Sequence, residues 1–424
     1  ILFGRTNFEC NVALFFFLTG VYFFYRGLDK PKSLIISLIL FAVAVPSYHS
    51  QRIITPLVFL VLFIRYRKIL LDQEHKKYLF FGTILATVIS IPTLSIVTTP
   101  GFLARASGLN IFNTIKHSPA GTISNYSGVF DFFVNSPIFL SIREFLALYI
   151  SYLSPRNMFI LGDSVLRSSY PELSTFFMWQ FPFYIYGLYL LFIKKGLKEL
   201  RFLTIALLLI APIPAAVTRD PYSTIRSLPL VIPQLIIISL GIIYFFEKIK
   251  KQLFKNVIYI GFILAIFYSL GKLYSSVIIL NEYFRAPEWN YGWEEVASTL
   301  QTLNPRLPVI VDNARSEPYS QLLFFLKYDP AKYQSENFEI PLSEYYTNMS
   351  RNTTKRIGNI TTRPINWELD LSEEKYLIGD ELSISLEQIQ THNLKLIREV
   401  KYPDGSIAFR IVKTSTVTHT PGVI

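Results

Sequence analysis

The chain has 424 residues, 51% hydrophobic and only 17% charged, with a mean hydropathy of +0.36 and a formal net charge of +11. A soluble domain carries about 25% charged residues, and this composition excludes a disordered chain and a collagen-like fibre. The single cysteine, Cys10, excludes a disulfide framework and any multi-cysteine zinc site.

The sequence opens on Ile1 and its first methionine is Met158, so it reads as a fragment whose natural N-terminus is missing. The apolar residues fall in runs suited to crossing a bilayer, which takes roughly 20 residues per helix. Such runs lie near 11–26, 33–48, 53–66, 78–97, 176–193, 202–217, 227–246 and 257–277, predicting about eight spans, of which the second and third are short. The segment 98–175 is a long loop whose stretch Phe145 to Leu153 reads as an amphipathic interfacial helix.

Lysine and arginine set the orientation of a polytopic chain, because cytoplasmic loops are enriched in them. Sixteen sit in four alternate loops: Arg26 to Lys32, Arg65 to Lys77, Lys194 to Arg201, and Lys248 to Lys255. The short turns between them hold only Arg52 in one, and Arg219 and Arg226 in the other. The first set is therefore predicted cytoplasmic, which puts residues 1–10, the 98–175 loop and everything after 277 outside. The net charge is a sum over unlike parts: residues 1–280 hold 26 Lys+Arg and 11 Asp+Glu, while 281–424 hold 15 and 19. Topology thus accounts for most of the basic excess, and a nucleic-acid partner is excluded.

After about residue 278 the pattern becomes that of a small α/β domain. Glu294 to Leu303 reads as a helix, Pro308 to Asp312 as a short buried strand, and Ser316 to Lys327 as a helix capped by Ser316 with Pro318 in its first turn. A polar, irregular insertion is expected around 335–370. Tyr376 to Ile378 is a strand candidate. Leu394 to Tyr402 and Ile407 to Lys413 flank the hairpin signal Pro403-Asp404-Gly405, and Thr414 to Ile424 reads as a frayed tail. The expected architecture is a polytopic α-helical membrane domain over 1–277, followed by an extracytoplasmic α/β domain over 278–424.

Residues able to carry chemistry cluster in the predicted outer segments. Arg5 and Glu9 precede the first span. A carboxylate there can bind a metal, position an acceptor or hold an arginine; a solvated acid at a helix N-terminus is the plain alternative. His49 and Arg52 share the turn Tyr48-His49-Ser50-Gln51-Arg52, where imidazole suits a metal or a proton and guanidinium suits a phosphate. Asp163 and Arg167 lie in Gly162-Asp163-Ser164-Val165-Leu166-Arg167, which also reads as a simple turn. Arg219, Asp220 and Arg226 lie in a further turn, where either arginine offers a bidentate partner to a lipid phosphate and a mutual salt bridge is the structural alternative. No Walker, dinucleotide or His-Glu-x-x-His signature is present, so no nucleotide is implied. A divalent metal is the one cofactor candidate, with Glu9 and His49 as its ligands.

At these residues the chain resembles membrane glycosyltransferases of the family 39 type, the GT-C group that includes protein O-mannosyltransferases and the bacterial aminoarabinose transferase of lipid A. The resemblance rests on Arg5…Phe8-Glu9 opening a span, on Tyr48 to Arg52, on Gly162-Asp163…Arg167 before an aromatic span, and on Arg219-Asp220…Ser223…Arg226-Ser227-Leu228-Pro229. In the tail, Tyr291-Gly292-Trp293-Glu294-Glu295 and Phe324 to Pro330 are similar to bacterial members. It implies a GT-C-like fold in the plasma membrane, a polyprenyl-phosphate sugar as donor, and transfer at the outer face to a protein, lipid or glycan acceptor. It also implies that the main catalytic base lies upstream of residue 1, that Glu9 serves acceptor or metal binding, and that Arg226, Arg52 and Arg167 stabilise the departing phosphate. A non-catalytic alternative is a transporter, flippase or scaffold of envelope polysaccharide assembly. Transporters keep polar groups at mid-membrane on broken helices, whereas mid-span charges are nearly absent here.

Overall fold

A computed structural model describes residues 8–103, 133, 136–218, 221–337, 341, 344, 347 and 353–415. They fall into two compact units, Ile1–Ser276 and Val277–Ile424.

The first unit is helical. Its elements are α1 (Glu9–Asp29), α2 (Ser33–Ser47), α3 (Gln51–Leu70), α4 (Gln73–Leu94), α5 (Pro137–Ser151), α6 (Phe181–Ile193), α7 (Lys198–Ile210), the single turn α8 (Ile213–Ala216), α9 (Val231–Lys248) and α10 (Gln252–Tyr274). Among the described residues, five stretches are long and apolar enough to cross a membrane: Glu9–Asp29, Gln73–Leu94, Lys195–Ala216, Leu228–Lys248 and Gln252–Arg285. Ser33–Ser47 and Met178–Ile193 are apolar but shorter. The 20-residue α3 has the length, but Arg52, Arg65, Arg67 and Lys68 interrupt its apolar run. Only 6% of the apolar window of α4 and 11% of that of α10 is buried. Phe80, Ile84, Val88 and Ile91 on α4, and Phe254, Val257, Leu264 and Phe267 on α10, are all exposed. A soluble monomer rarely bares such continuous apolar surface, so these helices are compatible with a lipid surround.

Two cores hold this unit. Phe17, Val21 and Phe24 of α1 pack with Leu34 and Phe41 of α2, Ile54, Val58 and Leu62 of α3, and Leu207 of α7. Ser37 donates to the Gly20 carbonyl at 2.8 Å, seating α2 on α1. His75 fixes the start of α4 to the end of α1: Nδ1 lies 2.9 Å from the Asp72 carboxylate and Nε2 lies 3.1 Å from the Leu28 carbonyl. The second core joins Tyr152, Met158, Phe159, Phe176, Tyr184, Leu191, Tyr222, Leu230 and Ile237. There α6 and α9 cross at two glycines. A Cβ on Gly187 would sit 1.8 Å from the Ile237 carbonyl oxygen, and one on Gly241 would sit 1.9 Å from that of Phe183. Small residues at such a crossing let backbones touch, which is how apolar helices associate where burial of apolar surface gives little drive.

The stretch expected as an interfacial helix at Phe145 to Leu153 belongs to a longer helix, α5, which begins eight residues earlier at Pro137. Ser136 caps it by accepting from the Phe139 amide, and Pro137 occupies its first turn, where no amide partner is needed.

The second unit is a mixed sheet with helices. It runs α11 (Trp293–Thr302), β1 (Val309–Val311), α12 (Pro318–Phe325), α13 (Pro330–Asn337), β2 (Lys355–Ile357), β3 (Ile360–Thr362), α14 (Trp367–Asp370), β4 (Tyr376–Gly379), α15 (Leu386–Thr391), β5 (Lys395–Lys401) and β6 (Ile407–Lys413). The strand order is β2-β3-β1-β4-β6-β5, with β1 parallel to β3 and β4 and the remaining pairs antiparallel. Every residue of β1 and β4 is buried, as expected of central strands covered on both faces.

Three expectations are corrected here. The stretch 353–370 is not irregular: it supplies β2, β3 and α14, joined by the two-residue turn Gly358-Asn359 between the paired Ile357 and Ile360. Asn337 pins that hairpin by exchanging hydrogen bonds with the Arg356 backbone at 2.7 and 2.8 Å. Three-residue strands carry too little alternation to be read from sequence. Ser316 does not cap α12, which starts at Pro318 with Glu317 before it and no side-chain cap. Thr414 is not frayed: it is buried, and its hydroxyl donates to the Glu373 carbonyl at 2.7 Å. The tail beyond 415 lies outside the described residues.

Candidate functional site

Two connecting segments of the first unit meet around one cavity. The first follows α5. Its chain turns through a π-helical stretch, Asn157–Leu161, to Gly162, where φ is +74°. That left-handed conformation suits glycine, and a Cβ there would also come within 2.8 Å of the Leu173 carbonyl. The turn delivers Asp163 into the interior.

Asp163 joins this segment to the second, 221–230. One carboxylate oxygen accepts from the Val165 amide at 2.8 Å; the other accepts from the Thr224 amide at 2.6 Å and from the Thr224 hydroxyl. Further stitches reinforce it. The Ser164 amide donates to the Tyr222 carbonyl at 3.2 Å. The buried Tyr152 hydroxyl accepts from the Ser223 amide at 3.0 Å, and the Tyr152 and Tyr222 rings lie 5.6 Å apart. Tyr222 and Thr175 share a hydroxyl contact at 3.0 Å. Burial, with a smaller contribution from the Asp163 charge, pushes the Tyr222 phenol up to about 12, so it is a neutral hydroxyl at physiological pH.

The cavity beside these groups has a volume of about 310 Å³, within the ~300–1,000 Å³ range of small-molecule sites. Asp163, Ser168, Ser169, Tyr222, Ser227 and Gln234 supply much of its polar wall. Gln234 stands in the first turn of α9, and its Nε2 is buried with no hydrogen-bond partner among the described residues.

The sequence-derived candidates divide in three ways. Asp163 lines this cavity, and the 218–226 turn reaches it through Tyr222 and Thr224. Arg226 is half-buried and donates from Nη1 to the Thr218 hydroxyl at 2.8 Å, and it is not among the lining residues. Arg167 is exposed on the 3-10 turn Leu166–Ser168. Glu9 is exposed at the first residue of α1, and His49 is exposed just before α3. Arg52, on α3, lies 4.0 Å from the centre of the Phe102 ring. None of Glu9, His49 and Arg52 lines the cavity. Arg5 and Asp220, with Arg219, lie outside the described residues. Among the described residues no three His, Cys, Asp or Glu side chains are grouped as a metal site requires, so Glu9 and His49 stand in no such group.

Sequence reasoning missed Tyr152, Tyr222, Thr224 and Gln234. The one available signal was Gln234 itself, an amide in an otherwise apolar helical run, since polar residues within such runs tend to be functional. Tyr152 and Thr224 gave none, because their partners lie 71 and 61 residues away. Comparison with family models, curated proteins and solved structures finds no match to the chain.

Proposed function

We propose that the protein transfers a sugar from a polyprenyl-phosphate-linked donor to an acceptor at the outer face of the membrane. The observation that carries this reading is the Asp163 junction, which fastens together two segments next to a cavity of small-molecule size; the lysine and arginine distribution predicts both segments to be on the outer side. The resemblance to family 39-type glycosyltransferases includes both segments, and the apolar helices suit a lipid-borne substrate.

In this reading the cavity and its rim hold the reacting groups, and Arg226, in the 218–226 turn but not among the lining residues, stabilises charge on the phosphate departing at the rim. Glu9, at the mouth of α1, orients the acceptor. The chain is a multi-pass protein of the plasma membrane with residues after 277 outside, and the family-level architecture is GT-C-like.

The test is sugar transfer from a lipid-linked donor in membranes. Arg226→Ala is expected to lower the rate by ~10²–10³-fold, the usual loss for one transition-state charge contact, and Glu9→Ala to impair transfer as well. Membrane insertion, followed by carbonate extraction, should be unchanged. Full activity in both variants overturns the assignment.

A further inference from the structure

We propose that the cavity between the 162–177 and 221–231 segments binds a neutral, polyhydroxylated group, and that the Gln234 side-chain amide is its recognition group. The inference rests on the reading above in one respect: it assigns the sugar, and not the lipid phosphate, to this cavity.

Charge is the first argument. The described residues lining the cavity include no lysine, arginine or histidine, and the one ionisable carboxylate among them is Asp163. A buried negative wall without a cation disfavours a phosphate, which needs charge-assisted donors. An ammonium is disfavoured too, because the Asp163 oxygens already accept three hydrogen bonds from Val165 and Thr224.

Gln234 is the second argument. It is 1% exposed, it lines the cavity, and its Nε2 has no hydrogen-bond partner among the described residues. Leaving a buried donor unsatisfied is costly, and native proteins rarely retain such a group without a reason. A primary amide both donates and accepts, which matches a hydroxyl that does the same. Ser168, Ser169, Tyr222 and Ser227 extend the polar lining, and Tyr170 and Phe177 add aromatic side chains, the residue type against which the C–H side of a pyranose stacks.

The experiment compares three probes that share one tail. The full chain is reconstituted in phosphatidylcholine nanodiscs, and saturation-transfer NMR measures binding of n-octyl β-D-glucopyranoside, n-octyl phosphate and n-octylammonium. Saturable binding of the glucoside, with neither charged probe binding as well, is expected. Gln234→Met should weaken the glucoside about tenfold, the loss of one hydrogen bond, while raising the thermal midpoint because the orphaned donor is gone. Ser169→Ala, a second lining residue, should weaken it two- to fivefold in a chain that keeps Gln234. Equal binding of all three probes means that only the tail is held and overturns the inference, as does a preference for the phosphate or the ammonium. Unchanged glucoside affinity in both variants overturns it as well. A chain that holds the glucoside as described but transfers no sugar keeps this inference and loses the transferase reading; one that transfers sugar yet prefers the phosphate here does the reverse.

Discussion

Gly187→Ala and Gly241→Ala are each expected to destabilise the first unit by about 3 kcal/mol or more, at the upper end of overpacking costs, because the obstacle is backbone and not a side chain that can rotate away. The added Cβ would lie 1.8 Å from the Ile237 oxygen in one case and 1.9 Å from the Phe183 oxygen in the other, so α6 and α9 must separate along their whole contact. That contact buries Tyr184, Leu191 and Ile237 in the same core as Tyr152 and Tyr222, and the loss therefore spreads to the candidate site. Thermal unfolding in detergent should show a lowered midpoint, together with weaker glucoside binding. Gly261→Ala in α10 is the internal control. Nothing lies within 4 Å of its added Cβ, so it should be neutral or stabilising by up to about 1 kcal/mol through helix propensity. Equal behaviour of the three variants would contradict the crossing.

Asp370→Ala should cost the second unit about 3–5 kcal/mol, the loss seen when one member of a buried ion pair is removed. Asp370 is fully buried. Its carboxylate takes a bidentate contact from Arg363 at 2.5 and 2.8 Å, a hydrogen bond from the Asn366 amide at 2.9 Å, and the Lys375 ammonium at 3.3 Å. Removing it leaves Lys375, itself buried, facing only Glu373 at 2.9 Å. Limited proteolysis of the solubilised chain should cut within 353–415 well before the helical unit is attacked. Resistance equal to the parent would show the cluster to be energetically idle.

The same carboxylates give this unit a pH dependence of definite sign. Burial alone would raise Asp370, but the hydrogen bonds and charge of Arg363, with help from Asn366 and Lys375, outweigh it and hold the group below the usual carboxylate range. At Asp380 burial is again overcome, by Arg315 and Ser383, which bring it down to about 2. A carboxylate lowered in the folded state contributes stability that is complete above its unfolded value, about 3.9, and is lost as pH falls through the folded value. Tryptophan fluorescence during acid titration should therefore stay flat from neutrality to about pH 4 and change towards pH 2. Trp293, packed 4.3 Å from the Phe409 ring, reports on that core. A transition centred near pH 6 would contradict these assignments.

Local order was legible where it repeats along the chain. The apolar runs announced α1, α4, α7, α9 and α10, because a helix long enough to cross lipid must write its apolarity into consecutive residues. The hairpin of β5 and β6 was legible from Pro403-Asp404-Gly405 between two alternating runs. The short strands β2 and β3 were not, since each spans three residues and takes its meaning from the partner across the sheet.

The candidate site divides along the same line. Sequence by itself marked Asp163 and the 218–226 turn as chemically notable, because charge and turn residues are local properties. Only the tertiary structure decided what Asp163 does. It binds the Thr224 backbone 61 positions away, so it builds the wall of the cavity. Tertiary structure likewise turned Arg226 to Thr218 and kept it out of that lining, left Glu9 and His49 exposed, and brought Gln234 to the interior with a donor unmatched among the described residues. The physical reason is that hydrogen-bond satisfaction is a property of neighbours in space: a side chain's type is written in the sequence, but whether its donors and acceptors are met is decided only when distant segments close around it.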